Sequence, residues 1–448
     1  MPEESEPNRP TAVRRQVYAL ACGASFLLYL HRYTWNFVGP KLGDDYHLNN
    51  AQVTFLFSLF YYTYATGQIP SGVVIDRSGP HKFLSVAMVA WSAALAVIGQ
   101  TRNLVVLGLS RLLFGAAQAG CYPALTKVTR SWSPASRRTV IQGWVATTFG
   151  RAGGAMSPIL LGTVLMGWCG LSWRSALALL SAVGVAFALV FWRSFRNTPA
   201  EHPRVNLAER TLIEGGVEPP AVPAAAGLSA RRALGSRDLR FFAAQQFLDA
   251  GSDVAFVGLI GTFFLKARGF DIAKAGWLTS LPLWGGALGG IAGGWLNDHF
   301  IARTGRRRWS RSGVGFLGKV FGCLLLLFVV RQEEGRNAAL FLMAAKFFGD
   351  WSQPTTWGAC TDLGGRFSAT VFGIINTAGT LGGVVMPIVF GVLLDRFTTK
   401  IDIAGRIVAT TNWSPLFSLL ACMYLASGVC WLLVDCTRSL DEESRIRL

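Results

Sequence analysis

The chain of 448 residues contains twelve apolar stretches, each long enough to cross a bilayer as a helix. About 20 apolar residues, at roughly 1.5 Å of rise each, are needed to span ~30 Å of hydrocarbon. The stretches fall near residues 16–38, 50–74, 81–100, 103–127, 139–164, 173–194, 240–263, 275–297, 313–331, 337–360, 367–393 and 414–435. Inside hydrocarbon no water can satisfy a backbone N–H or C=O, so each stretch has to close its own hydrogen bonds as a helix. The predicted class is an all-α membrane protein with twelve transmembrane helices. Composition agrees, because 51% hydrophobic and 15% charged residues exclude an ordinary soluble domain, which carries about 25% charge. A net charge of +17 would suit a nucleic-acid binder. The Lys and Arg instead lie in short runs between apolar stretches, without an aromatic-and-basic binding motif, so no nucleic acid is expected as a partner.

The segment Met1 to Arg15 mixes acidic and basic residues and has no short apolar core with a small-residue cleavage site. The first stretch is therefore expected to stay as an anchor. With both termini on the cytoplasmic side of a cell (inner) membrane, roughly 26 Lys and Arg fall in inside segments and about 10 in outside loops. The inside set includes Arg14, Arg15, Arg137, Arg138 and Arg306 to Arg308. The long polar interruption with Pro219, Pro220 and Pro223 reads as a cytoplasmic linker. It predicts three parts: a six-span bundle over 1–195, a linker over 196–238 and a second bundle over 239–448.

An internal repeat supports that division. In span five Gly150, Gly153, Gly154 and Pro158 form G-x-x-G-G-x-x-x-P, and Gly379, Gly382, Gly383 and Pro387 repeat the spacing in span eleven. Gly72-x-x-x-Asp76 after span two is echoed by Gly294-x-x-x-Asp298 after span eight. Glycines of this kind serve close helix packing in any membrane protein, but the same spacing at matching positions argues for duplicated halves, an arrangement found in many transporters.

The loop from Gly72 to Lys82, with Asp76, Arg77, Gly79 and Pro80, resembles the signature loop of the major facilitator superfamily, and Asp298 to Arg308 resembles its second copy. Arg111-x-x-x-Gly115 is similar to a further signature of that superfamily. The resemblance implies two pseudo-symmetric six-helix bundles, a cavity lined by spans one, four, seven and ten, and Asp76, Arg77 and Asp298 as gating residues. Within the superfamily, Pro199 to Asn206, Lys266 to Pro282, Gly293 to Asp298 and Thr361 to Pro387 resemble the anion:cation symporters. Their usual acidic residues in spans one and four are replaced by His31 and Gln118. A sister group, the organophosphate:phosphate antiporters, shares an Arg in span one and the pair Gln118 and Pro123, but its Arg in span seven has no counterpart here.

A charge at the centre of a membrane helix costs about 2.5 to 3.5 kcal/mol, so each needs a partner or water. The chain carries His31, Arg32, Arg111, Arg151, Asp249, Asp253, Lys319, Lys346 and Asp350 within its apolar stretches. None of the first six stretches contains an Asp or Glu. Arg32 and Arg111, each reckoned at roughly 9 to 12 Å below the outer end of its span, therefore point to an anionic substrate. A guanidinium fork matches a carboxylate or phosphate at two points. The alternative is an ion pair to Asp249 or Asp253 that only holds the halves together. Tyr29, Tyr33, Tyr62, Gln118, Gln142 and Arg151 complete the expected substrate site, with Asn36 and Tyr61 near the same level. Lys319 is expected to snorkel to the surface without a role.

No phosphate-cradling loop, zinc-protease helix or nucleophile elbow is present in the sequence, so no enzyme and no cofactor or metal is expected. The function expected is secondary transport of a small organic anion by a monomer in the lipid bilayer. The other readings are a phosphate-type antiporter, an uncoupled facilitator and a transporter-like sensor that binds without flux. Proton or sodium are the candidate coupling ions, with His31, Asp249, Asp253 and Asp350 as the coupling residues.

Overall fold

A computed structural model describes residues 9–134, 137–214, 235–364, 368–403 and 406–437. Each of the twelve expected spans falls on helix. Among the described residues, six helices are long and apolar enough to cross a membrane on length and composition alone, and a seventh is so if Arg237–Gly258 and Ile260–Ala267, bent by 43°, count as one span. Several spans are broken. Span one is Val13–Arg32 followed by Trp35–Asp45, and span four is Leu104–Ala119 followed by Cys121–Trp132. In span five the α-helical Gly150–Pro158 lies between π-helical segments Trp144–Phe149 and Ile159–Trp168. Spans two and three form one helical run, Asn50–Gln100, kinked at Gly79. Its φ of +75° strains any residue with a side chain, and a Cβ there would lie 2.6 Å from Asn197 Oδ1, which accepts the N–H of His81 at 2.9 Å. Between spans eleven and twelve the chain forms a hairpin, Thr398–Ile403 paired antiparallel with Arg406–Thr411, which hydropathy does not foreshadow.

The repeated glycines explain how the helices pack. A Cβ on Gly153 would lie 2.1 Å from the carbonyl oxygen of Phe26 in span one, and a Cβ on Gly382 would lie 2.3 Å from that of Phe247 in span seven. The duplicated motif thus presses span five on span one and span eleven on span seven at the same point. Span eight, Ile272–Thr304, uses a longer stripe. Gly285, Gly289 and Gly293 meet the backbone of span ten at Met343, Phe347 and Trp351, with gaps for a Cβ of 1.9 to 2.4 Å. Every fourth residue returns to one helix face, so the stripe is continuous.

By contacts the chain groups into two units. One comprises Met1–Arg32, Tyr62–Gly154 and Leu171–Val222, and the other Tyr33–Tyr61, Ala155–Gly170 and Pro223–Leu448. In the second unit, segments of the first sequence half therefore pack with the second half. Asn36 donates its amide to the carbonyls of Phe256 (3.2 Å) and Val257 (2.7 Å) and accepts the N–H of Gly261 at 3.1 Å. These backbone groups flank the bend of span seven, where helical pairing fails, and a buried polar group left unpaired there is costly. Asp395 accepts hydrogen bonds from the N–H groups of Asn50 (2.9 Å) and Ala51 (2.8 Å) and so caps the start of span two.

In the first unit, a short helix of the connection after span six, Leu207–Glu214, caps span one. The buried Glu209 carboxylate accepts from the Thr11 hydroxyl and from the N–H groups of Val13 and Arg14, both at 2.9 Å, and pairs with the Arg14 guanidinium at 3.3 Å. Burial pushes the Glu209 carboxyl up. The hydrogen bonds from Thr11, Arg14 and Val13, together with the Arg14 charge, outweigh burial and hold it below the usual carboxylate range. Glu209→Gln is expected to cost about 1–2 kcal/mol of stability near neutral pH, the range of a lost cap with a charged acceptor. Because the folded-state value is depressed, the contribution is complete above the unfolded value of about 4.3. It is lost as pH falls through the folded value, so thermal melts of wild type and variant should converge in acid.

Candidate functional site

Arg32 ends the first helix of span one, where a cation meets the partial negative charge of the helix C-terminus. It is buried, and its Nε donates to Gln118 Oε1 at 3.1 Å. Gln118 Nε2 donates in turn to the carbonyl of Leu28 at 3.4 Å. The guanidinium carbon lies 5.0 Å from the ring centre of Tyr29 and 4.7 Å from that of Tyr64. Tyr122 stands edge-on to Tyr29 at 6.2 Å and shares a 3.0 Å hydrogen bond with Ser25. An arginine held by an amide and faced by aromatic rings is oriented, and cation–π contacts stabilise such a group by about 0.5–2 kcal/mol.

Arg111 is buried on the same helix as Gln118, seven residues away. That spacing is two turns, so both lie on one face about 10 Å apart.

Tyr62 is 57% exposed, and two residues along a helix turn the chain by about 200°, so Tyr64 takes the place beside Arg32 that was expected of Tyr62. Tyr33 lies in the break of span one and belongs to the second unit. Gln142 donates to Thr126 Oγ1 at 3.1 Å, and Arg151 is partly buried on Gly150–Pro158. Sequence reasoning missed Tyr64 and Tyr122; the available signal was the helical rotation relative to Arg32, which needs the break in span one to be located first.

His31 is fully buried and points elsewhere. A Cβ on Gly184 of span six would lie 2.7 Å from its ring and 2.2 Å from Ser92 Oγ of span three, so the imidazole is wedged between those helices.

In the second unit, charges of spans seven, nine and ten meet in pairs. Lys319 of span nine makes an ion pair with Asp249 of span seven, and Gln353 donates to the other Asp249 oxygen at 3.0 Å. The Lys319 ammonium lies 4.6 Å from the ring centre of Tyr424. The expectation that Lys319 snorkels is corrected here: it is fully buried, because a carboxylate is within reach at its own depth. Lys346 Nζ lies 2.6 Å from Asp253 and 2.5 Å from Asp350. Gly286 makes room for this group, since a Cβ there would meet Asp350 Oδ2 at 2.5 Å. The Asp253 side chain is 33% exposed, against 2% for Asp350 and 1% for Asp249.

Of the expected gating residues, the exposed Asp76 pairs with Lys127 of span four at 3.0 Å, and Arg77 is exposed beside it. Asp298 is exposed and accepts from Asn297 at 3.3 Å.

The sequence model of the Major Facilitator Superfamily matches residues 21–245. The chain belongs to this superfamily. It is similar to a probable sulfoacetate transporter of Cupriavidus necator, 29% identical over 90% of this chain and 93% of that one. It is also similar to a probable galactarate/D-glucarate transporter of Escherichia coli, 25% identical over 82% of this chain and 84% of that one. Among solved structures, a bacterial homologue of the human lysosomal transporter Spinster matches with a TM-score of 0.73 at 17% identity, covering 97% of this chain and 98% of that one. That likeness carries the fold, the superfamily's twelve helices in two pseudo-symmetric bundles. The chain is thus a multi-pass membrane transporter of the facilitator type, and the paired glycine contacts of spans five and eleven are the two halves of its repeat.

The Lys319–Asp249 pair gives a direct test of what buried charge costs in this facilitator. Lys319→Met alone strands a carboxylate and should destabilise the protein by about 3–5 kcal/mol, whereas the double variant Lys319→Met/Asp249→Asn should recover most of that loss. Denaturant unfolding in detergent micelles measures both.

Proposed function

We propose that this facilitator is a secondary active transporter of a small organic anion, a carboxylate or sugar acid, working by alternating access in the cell (inner) membrane with both termini cytoplasmic. The observation that carries the reading is Arg32, buried, oriented by Gln118 and flanked by Tyr29 and Tyr64, in a sequence half whose membrane stretches contain no acidic residue. Arg111 lies two turns along the same face of span four. Relatives named for sulfoacetate and galactarate/D-glucarate transport support an acid anion as cargo. Tyr33, Tyr62, Gln142 and Arg151 join the site in states in which their spans turn toward it.

Coupling in this reading belongs to Asp253 and Asp350, which both contact the ammonium of Lys346. Two carboxylates on one ammonium form a site for an exchangeable proton, and Asp253 is the member open to solvent. His31, wedged between spans three and six, and Asp249, paired to Lys319, are secondary candidates. Alternating access is supported by the contacts that Asn36 and Asp395 make within the second unit, because they tie segments of one sequence half to the other through a few hydrogen bonds. Asp76, Arg77 and Asp298 serve as gate residues at the signature loops.

Uptake of labelled glucarate and sulfoacetate into proteoliposomes tests the reading. Arg32→Lys and Arg111→Lys keep charge but lose the fork, and each should weaken uptake at least roughly tenfold. Normal uptake by both variants would move the anion site elsewhere. Asp253→Asn should abolish accumulation under an imposed pH gradient while leaving exchange of substrate for substrate intact. If the Asp253→Asn protein still accumulates substrate against its gradient, coupling resides in another group.

A further inference from the structure

Spans one and five border a groove of about 1100 Å³ in the first unit. Its walls are apolar: Ala19, Cys22, Phe26, Ile141, Trp144 and Phe149. At one end stand Arg14, Arg15 and Arg137. Trp144 and Phe149 belong to the π-helical segment of span five and are about half exposed, so the widened turn presents them outward. From Arg15 to Phe26 the wall runs eleven residues, about 16 Å along the helix. Half of a ~30 Å hydrocarbon core is one leaflet, so the groove has the depth of a single acyl layer with guanidinium groups at its head.

We propose that this groove binds a phospholipid with an anionic headgroup, its phosphate held by Arg15 and Arg137 and an acyl chain lying along Phe26, Trp144 and Phe149. The charge distribution selects the ligand. Arg14 is already paired with Glu209, which leaves Arg15 and Arg137, both exposed, as the cations that complement a phosphate. Guanidinium groups suit phosphate oxygens through paired hydrogen bonds. A soluble anion would gain nothing from the six apolar side chains below them, whereas a zwitterionic lipid such as phosphatidylcholine would bring a cation of its own against the arginines. Under the positive-inside arrangement this end faces the cytoplasmic leaflet, where basic groups meet anionic lipid.

The test is native mass spectrometry of the full-length protein in detergent, with phosphatidylglycerol and phosphatidylcholine of equal chain length as competing probes. Phosphatidylglycerol should be retained preferentially. Arg15→Gln/Arg137→Gln should reduce that preference by roughly 30-fold, the effect of two basic groups near a membrane surface. Ala19→Phe fills the groove while keeping both arginines, and should lower retention of either lipid. Soluble glycerol phosphate should not compete, since it has no acyl chain. Equal retention of the two lipids by wild type, an unchanged preference in the double Gln variant, or undiminished binding by Ala19→Phe would each overturn the proposal. Thermal melts of each variant without added lipid separate loss of the site from loss of the fold.

Discussion

Charge in hydrocarbon is the constraint to which the rest of this structure answers. Removing an ion from water costs several kcal/mol even after the protein relaxes, and the cost is recovered only where a partner stands at the same depth with good geometry. The second half meets it with Lys319 on Asp249 and Lys346 between Asp253 and Asp350. In the first half, Arg32 meets an amide oxygen and two aromatic faces.

Close helix packing makes these pairings possible. Gly286 allows the Lys346 and Asp350 side chains to lie against span eight, and Gly184 leaves the space that His31 and Ser92 fill. The duplicated glycines of spans five and eleven bring backbone to backbone at Phe26 and Phe247. Each contact removes a side chain from the helix surface, and with it the interlocking that would fix one helix against its neighbour. The same glycines that admit buried charge also leave smooth faces between helices.

Much of this was legible in the sequence. Apolar length located all twelve spans, and the spacing of Gly150 to Pro158 against Gly379 to Pro387 disclosed the repeat that the packing bears out. Arg32 touches Gln118 and Tyr29, which the sequence had placed near its level. What was not legible depends on rotation and on partners distant in sequence. Tyr64 faces Arg32 in preference to Tyr62 because of the phase of span two, which hydropathy does not report. Lys319 reads as a stray charge until Asp249, seventy residues earlier, is found at its depth. The role of Asn36 emerges only once span seven is seen to bend, since nothing in the residues from Phe256 to Gly261 announces that their backbone needs an outside partner.

The breaks in spans one and seven bring these threads together. A broken helix in hydrocarbon exposes backbone groups that some other part of the protein has to satisfy, and Asn36 does so with one side chain on both sides of the bend at Leu259. Each such hydrogen bond is worth about 1 kcal/mol net and can be exchanged for one to water. Separating Lys319 from Asp249 would cost about 3–5 kcal/mol, because a buried ion loses its opposite charge. A molecule built from both kinds of contact yields first where the exchangeable bonds are. The exchangeable contacts are those of Asn36 and Asp395, whereas spans seven, nine and ten are joined by ion pairs, Lys319 with Asp249 and Lys346 with Asp253 and Asp350.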